Sequence, residues 1–281
     1  MPFLTPMFAS PLPKDFNLQP DTYIGQEKYD GIRIVVEVKE GAADLFTPKT
    51  VTPWSRYGKI HPLPSHITSQ LAKLPDGIYD GEVLAPGKRS YGATEIKNQP
   101  DLIYYIFDII QFGDQGITAL QYENRHTLLS LHTPTEGPVQ LAPQFTINNW
   151  DEVLTLRDEV WARDGEGLIL KRLSSIYKPG KRPKGDWIKI KKLQSAVLTV
   201  IDFQSSKGQI NNRGPYAMVV LQDDEGNVTT VKTRNDAECR RLESIAAEVH
   251  PDIGRKLRIE FQERTPDFNY RHPRFDRWED E

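Results

Sequence analysis

Hydrophobic positions along the chain repeat with two periods, and the switches between them mark out its elements. Apolar runs bounded by turn residues predict strands at 23–24, 34–38, 102–110 and 168–172, and alternation of apolar with polar residues predicts two more at 77–84 and 186–191. A hairpin partner for the second strand is expected near 43–46. Helical spacing predicts a packing helix over 122–131, closed by His132-Thr133-Pro134. A second starts from a cap at Asn149 or Asp151 and runs through Val153, Leu154, Leu156, Val160 and Trp161. Pro6, Pro11, Pro13 and Pro20 break any helix in the first 20 residues and predict an extended segment draped over the first domain.

After Leu193 the texture changes. Short strands are predicted at 196–203, 216–221, 227–233 and 256–262, with Asp224-Glu225-Gly226-Asn227 as a hairpin turn and a helix over 236–249. A late helix among about five strands suggests an OB-type barrel, a fold that commonly holds nucleic acid. The reading is α+β in two domains, 1–193 and 194–281, with a hinge at 193–195.

Composition narrows the setting. A length of 281 residues fits one large or two ordinary domains, and 38% hydrophobic with 27% charged residues is ordinary for a soluble protein. Cys239 is the only cysteine, which excludes an intramolecular disulfide or a cysteine metal cluster and suits a reducing, cytoplasmic compartment. No basic region followed by an apolar run opens the chain, and no stretch is long and apolar enough to span a bilayer; neither export nor membrane insertion is expected.

A net charge of −3 argues against nonspecific coating of nucleic acid, but its distribution is uneven. Between Lys171 and Lys192 stand nine basic residues against one acid, Asp186. The 178–184 part reads either as a solvated basic loop or as a contact for a polyanion.

Four places carry candidate chemistry. Lys28 ends a strand within Glu27-Lys28-Tyr29-Asp30-Gly31-Ile32-Arg33, where it reads as a nucleophile or as a surface lysine beside an Asp-Gly turn. Asp80 and Glu82 share one face of a strand and need a cation or hydrogen-bond donors to meet them. Glu166 stands between Gly165 and Gly167, which let the backbone come close to a ligand. Lys189 and Lys191 share a strand face, and two like charges there call for an anion such as phosphate between them.

Taken in order, Lys28-Tyr29-Asp30-Gly31-Ile32-Arg33, Ser55-Arg56, Asp80-Gly81-Glu82, Phe107-Asp108, Glu166-Gly167 and Lys189-Ile190-Lys191 resemble the full motif set of small ATP-dependent DNA ligases, bacterial or phage in type. The tail Arg271-His272-Pro273-Arg274-Phe275-Asp276-Arg277-Trp278 resembles the last motif of that family. The chain departs from it in lacking a lysine after Asp280 and in placing acids after Trp278, which bears on the residue that orients pyrophosphate and not on the class. The resemblance implies a nucleotidyltransferase (adenylation) domain of antiparallel sheets and packing helices, followed by an OB-fold barrel. It implies nick sealing, of the kind used in DNA repair, replication and recombination, by self-adenylation of Lys28, AMP transfer to a 5′-phosphate and attack by the 3′-hydroxyl.

By the same resemblance Gln26, Arg33, Arg56, Glu82, Phe107, Lys189 and Lys191 bind the nucleotide, with Phe107 against the adenine and Gln26 at its edge. Glu82 and Glu166 take Mg²⁺ or Mn²⁺, and Arg271, Arg274 and Arg277 meet DNA or pyrophosphate. The implied cofactor is ATP, and the implied partner is nicked double-stranded DNA, gripped by a monomer without a separate N-terminal DNA-binding domain; loops 88–97 and 178–184 are candidate duplex contacts. Two rival readings stand beside it: an RNA ligase or mRNA-capping guanylyltransferase of the same superfamily, and a noncatalytic OB-type nucleic-acid binding protein.

Overall fold

A computed structural model describes residues 4–13, 15–41, 49–85, 101–205, 216–246, 249–262, 264–265 and 268–279. The hairpin partner expected at 43–46 and the basic loop 88–97 lie outside them. The chain forms two compact units, residues 1–190 and 191–281.

The first unit begins with β1 (Ser10–Pro11), β2 (Tyr23–Glu27), β3 (Ile32–Lys39), β4 (Thr50–Ser55), α1 (Ser65–Leu71), β5 (Gly77–Leu84), β6 (Ile103–Phe112) and β7 (Gln115–Gly116). It continues with α2 (Tyr122–His132), β8 (Val139–Leu141), β9 (Phe145–Ile147), α3 (Trp150–Ala162), β10 (Gly167–Arg172) and β11 (Trp187–Lys191). One sheet has the order β1-β11-β10-β2-β9; the other runs β4-β3-β5-β6-β7, with β8 beside β6.

Burial explains why β3 and β6 read as nearly unbroken apolar runs, and β5 lies between them. Ile34, Val36, Tyr79, Val83, Tyr104 and Ile106 pack beneath Ile67 and Leu71 of α1 and Leu129 of α2. The opposite face of the same strands puts Val35, Ile78 and Ile110 against Met7, Tyr177 and Trp187. Covered on both faces, such strands have no solvent side to alternate with. The first sheet is covered in turn by α3, whose Val153, Leu156 and Val160 pack on Leu168, Leu170 and Ile188. The layers are therefore helices, sheet, sheet, helix, and β2 to β3 is a crossing between the two sheets.

Helix α3 starts where a cap was expected. Asn149 Oδ1 accepts from Glu152 N at 3.0 Å, and the Glu152 carboxylate accepts in return from Asn148 N at 2.8 Å. Such a reciprocal cap stabilises a helix start by about 1 kcal/mol. The proline-rich N-terminal segment is extended, with Met7 fully buried and its N–H donated to Tyr177 Oη at 3.0 Å.

The second unit holds β12 (Gln194–Gln204), β13 (Met218–Gln222), β14 (Val228–Lys232), α4 (Asp236–Ser244), β15 (Lys256–Phe261) and β16 (Arg274–Trp278). The sheet order is β14-β13-β12-β15-β16, and its two edge strands meet, so the sheet closes into the five-stranded barrel of an OB-type domain. Helix α4 is shorter than the 236–249 expected, ending at Ser244 with Ile245 as its cap. The arginine-rich tail is itself a strand: Trp278 is 1% exposed in the barrel core, so its aromatic residues serve packing.

Candidate active site

Lys28 lies one residue past the end of β2, on the crossing between the sheets. Its N–H donates to Gly167 O of β10 at 2.8 Å, which continues the first sheet's ladder by one step. Three residues later the chain is pinned to the second sheet, where Gly31 N donates to Glu82 Oε1 at 3.0 Å. A Cβ on Gly31 would lie 2.2 Å from Val83 O, so only glycine lets the crossing approach β5 this closely. The Asp-Gly pair is thus a bridge between layers, with Lys28 fixed at one end.

The Lys28 ammonium pairs with the Glu166 carboxylate, and the two side chains are 22% and 11% exposed. Glu166 is aimed by the end of α3. Gly165 N donates to Val160 O at 2.8 Å, and a Cβ at 165 would stand 2.4 Å from Val160 Cγ1, so this glycine serves the packing of the helix end. Asp164 takes the left-handed conformation, φ 63°, to make the turn. Arg163 Nη2 holds Glu27 at 2.7 Å across the same corner.

Glu82 lies within electrostatic reach of Lys28, Arg33 and Glu166. Burial pushes its carboxyl up to about 7, against the opposing pull of Lys28, the Gly31 N–H and Arg33, while Glu166 adds to the rise. Asp80, on the same strand face, is met by the protein's own donors. Arg33 grips it with Nε at 2.9 Å and Nη2 at 2.6 Å, and Tyr177 Oη donates to it at 2.6 Å. Burial works against the charge on Arg33, but Asp80 holds its pKa above the usual range.

The Arg33 guanidinium also lies among three rings, 5.9 Å from Phe8, 5.3 Å from Phe107 and 5.8 Å from Trp187. Phe107 itself is the extra residue of a β-bulge. Asp80 pairs with Asp108 and Gly81 with Ile106, leaving Phe107 without a partner on β5. A bulge re-aims its side chain, and here the half-buried ring stands edge-on to Trp187 at 6.2 Å, between the sheets.

The remaining candidates are placed as follows. Gln26 is 2% exposed and its Nε2 reaches Ala142 O at a long 3.4 Å. Lys189 follows Trp187 on the same face of β11, with Lys191 two residues further on that strand. Arg56 is exposed in the turn after β4, its guanidinium 4.7 Å from the Tyr57 ring, and takes no part in the contacts around Lys28 described above. In the second unit, Arg274 of β16 pairs in register with Glu260 of β15 and Arg277 with Arg258, and Arg271 O accepts from Gln262 N at 3.0 Å.

Sequence reasoning passed over Tyr177 and Lys171. Lys171 is 2% exposed and donates to Phe107 O at 2.8 Å. A lysine alternating with Ile169 on an otherwise apolar strand was the available signal.

An amine beside a carboxylate, a second buried carboxylate and an aromatic ring re-aimed between two sheets are brought together here. The fold is shared with solved DNA ligases. The chain matches the structure of a Lig E DNA ligase, solved in a study of DNA binding with a minimal scaffold, at TM-score 0.74 and 19% identity, over 98% of this chain and all of that one.

Among curated relatives, the DNA ligase of Methanothrix thermoacetophila is 26% identical over 275 residues, which cover 86% of this chain and 48% of the relative. That of Methanosphaerula palustris is 32% identical over 150 residues, 48% of this chain and 26% of the relative. The chain thus spans half or less of the length of these relatives. Residues 6–191 match the ATP dependent DNA ligase domain family, and the chain belongs to it.

Among the described residues, no helix is long and apolar enough to cross a membrane.

Proposed function

We propose that this protein is an ATP-dependent DNA ligase that seals nicks in duplex DNA in a reducing, cytoplasmic setting. The observation that carries the reading is the contact of Lys28 with Glu166 beside the buried Glu82, where β2 hands the chain over to β3 in the other sheet. Lysine is a poor nucleophile while protonated, and Glu166 is placed to take its proton. Lys28 Nζ then forms a bond to the α-phosphorus of ATP as the bond to pyrophosphate breaks in line. AMP passes to the 5′-phosphate at the nick, and the 3′-hydroxyl displaces it to form the phosphodiester.

Phe107 lies against the adenine, and Gln26, with its long bond to Ala142 O, faces the base edge. Glu82 takes the ribose. Arg33, with two nitrogens committed to Asp80, serves the pocket through Phe107. Lys189 and Lys191 meet the phosphates, Arg56 the nucleotide from its turn, and Arg271, Arg274 and Arg277 DNA or pyrophosphate. Glu82 and Glu166 fit a hard divalent cation, Mg²⁺ or Mn²⁺: both offer oxygen, and the raised carboxyl of Glu82 marks a charge that its neighbours only partly compensate. Such an ion, when bound, neutralises charge on the phosphates.

Exposed Lys181, Arg182 and Lys184 supply a grip on the duplex. Their loop is held in place, since Lys181 O accepts from Phe8 N at 2.9 Å and Gly180 N donates to Thr5 O at 2.9 Å.

The test is incubation with α-labelled ATP and magnesium, followed by nicked duplex. Covalent label on the wild type, its absence in Lys28→Ala and sealed product are the expected results. Label retained by Lys28→Ala overturns the nucleophile, label from GTP but not ATP turns the reading to capping, and sealing of nicked RNA alone turns it to an RNA ligase.

A further inference from the structure

The bulge at Phe107 takes one residue out of register on β6, and the carbonyl it displaces is met by a buried cation. Lys171 Nζ donates to Phe107 O at 2.8 Å and lies 4.7 Å from the Phe107 ring centroid, 4.3 Å from that of Trp187 and 4.7 Å from that of Tyr122. Phe107 and Trp187 are therefore flanked by two cations, Arg33 and Lys171. Arg33 is committed to Asp80, which leaves Lys171 as the side chain that bonds the bulge itself.

We infer that Lys171 is a positioning residue for nucleotide binding: by holding the displaced Phe107 carbonyl it fixes the bulge and sets the Phe107 ring toward the base. This rests on the reading of Phe107 as the adenine-stacking residue. A lysine is costly to bury: burial lowers the Lys171 pKa to about 7, with Asp108 and Asp80 favouring its charge and Arg125 and Arg33 opposing it. A methionine of similar volume fills the space without the bond and, as far as packing goes, is tolerated.

The experiment is a double-mutant cycle on self-adenylation of the full chain, measuring the ATP concentration for half-maximal labelling rate and the rate at saturation. Lys171→Met is expected to raise the half-saturating concentration on the order of tenfold, the scale of one base–aromatic stack, with the saturated rate within about twofold. In a Phe107→Leu background the same substitution is expected to add nothing. Lys171→Gln, which keeps an N–H donor for the carbonyl, is expected to stay within about threefold of wild type and serves as the second variant if Lys171→Met does not fold.

Equal effects of Lys171→Met in both backgrounds, a loss confined to the saturated rate, or a Lys171→Gln defect that persists without Phe107 overturns the inference. A Phe107→Leu variant that binds ATP as tightly as wild type instead removes Phe107 from the site, a distinct failure of the underlying reading.

Discussion

Lys28 and Glu166 stand 138 residues apart in the chain and form an ion pair in the fold. The contact exists because β2 and β10 are antiparallel neighbours, with Glu27 opposite Leu168, so the residue after one strand meets the residue before the other. One strand end thus delivers the amine and the other the carboxylate.

Glu166→Gln keeps the shape and a hydrogen-bond acceptor but removes the base. Single-turnover labelling with ATP is expected to slow on the order of 10²-fold, while the melting temperature moves by no more than about 4 °C because the pair is partly exposed. An unchanged single-turnover rate would refute the role of base, and an unchanged dependence on magnesium the role of metal ligand.

Gly31→Ala forces a methyl to within 2.2 Å of the Val83 carbonyl. The crossing must shift, at a cost of roughly 2–4 kcal/mol in urea denaturation, with loss of labelling. Gly116→Ala, where nothing lies within 4 Å, is the control and should stay within about 0.5 kcal/mol of wild type.

Asp108 and Arg125 are fully buried and joined by two bonds, at 2.8 and 2.9 Å. Arg125→Met strands the carboxylate and also frees the carbonyls of Leu120 and Ser175, so about 3–5 kcal/mol should be lost. Adding Asp108→Asn should recover part of it, and a strictly additive double variant would argue against the coupling.

His126 carries a pKa pushed down to about 4, first by burial and then by the charge of Lys171, with Asp108 opposing. The unfolded chain takes up this proton near pH 6.5 and the folded one only near 4. Stability present above pH 6.5 is therefore lost as pH falls through that window. With the ring partly solvated, about 1–2 kcal/mol is expected between pH 7.5 and 4.5, and His126→Phe should flatten that part of the profile. Parallel profiles for the two proteins would show that other groups carry the acid sensitivity.

Arg182→Glu combined with Lys184→Glu should weaken binding of nicked duplex and lower the slope of log K against log salt by about 2, leaving self-adenylation as it was. Unchanged DNA binding would remove this loop from the interface.

Much of the architecture could be read along the chain because its causes are local. Two-residue alternation put Asp80 and Glu82 on one face of β5 and Lys189 and Lys191 on one face of β11, and Asn149 announced the start of α3. Glycine at 31 and at 165 was legible as a constraint, although the reason lay elsewhere: the Val83 carbonyl for one and Val160 for the other. What alternation could not supply was the partner across the gap. Asp80 was expected to need a cation or hydrogen-bond donors, and the donors are the protein's own Arg33 and Tyr177; Phe107, expected against the adenine, is bulged; Lys171 read as one of nine basic residues and is buried. The amino-acid order thus determined which side chains share a strand face, while only the packing of two sheets, a matter of contacts between distant segments, decided which of those faces oppose each other and which charges are enclosed.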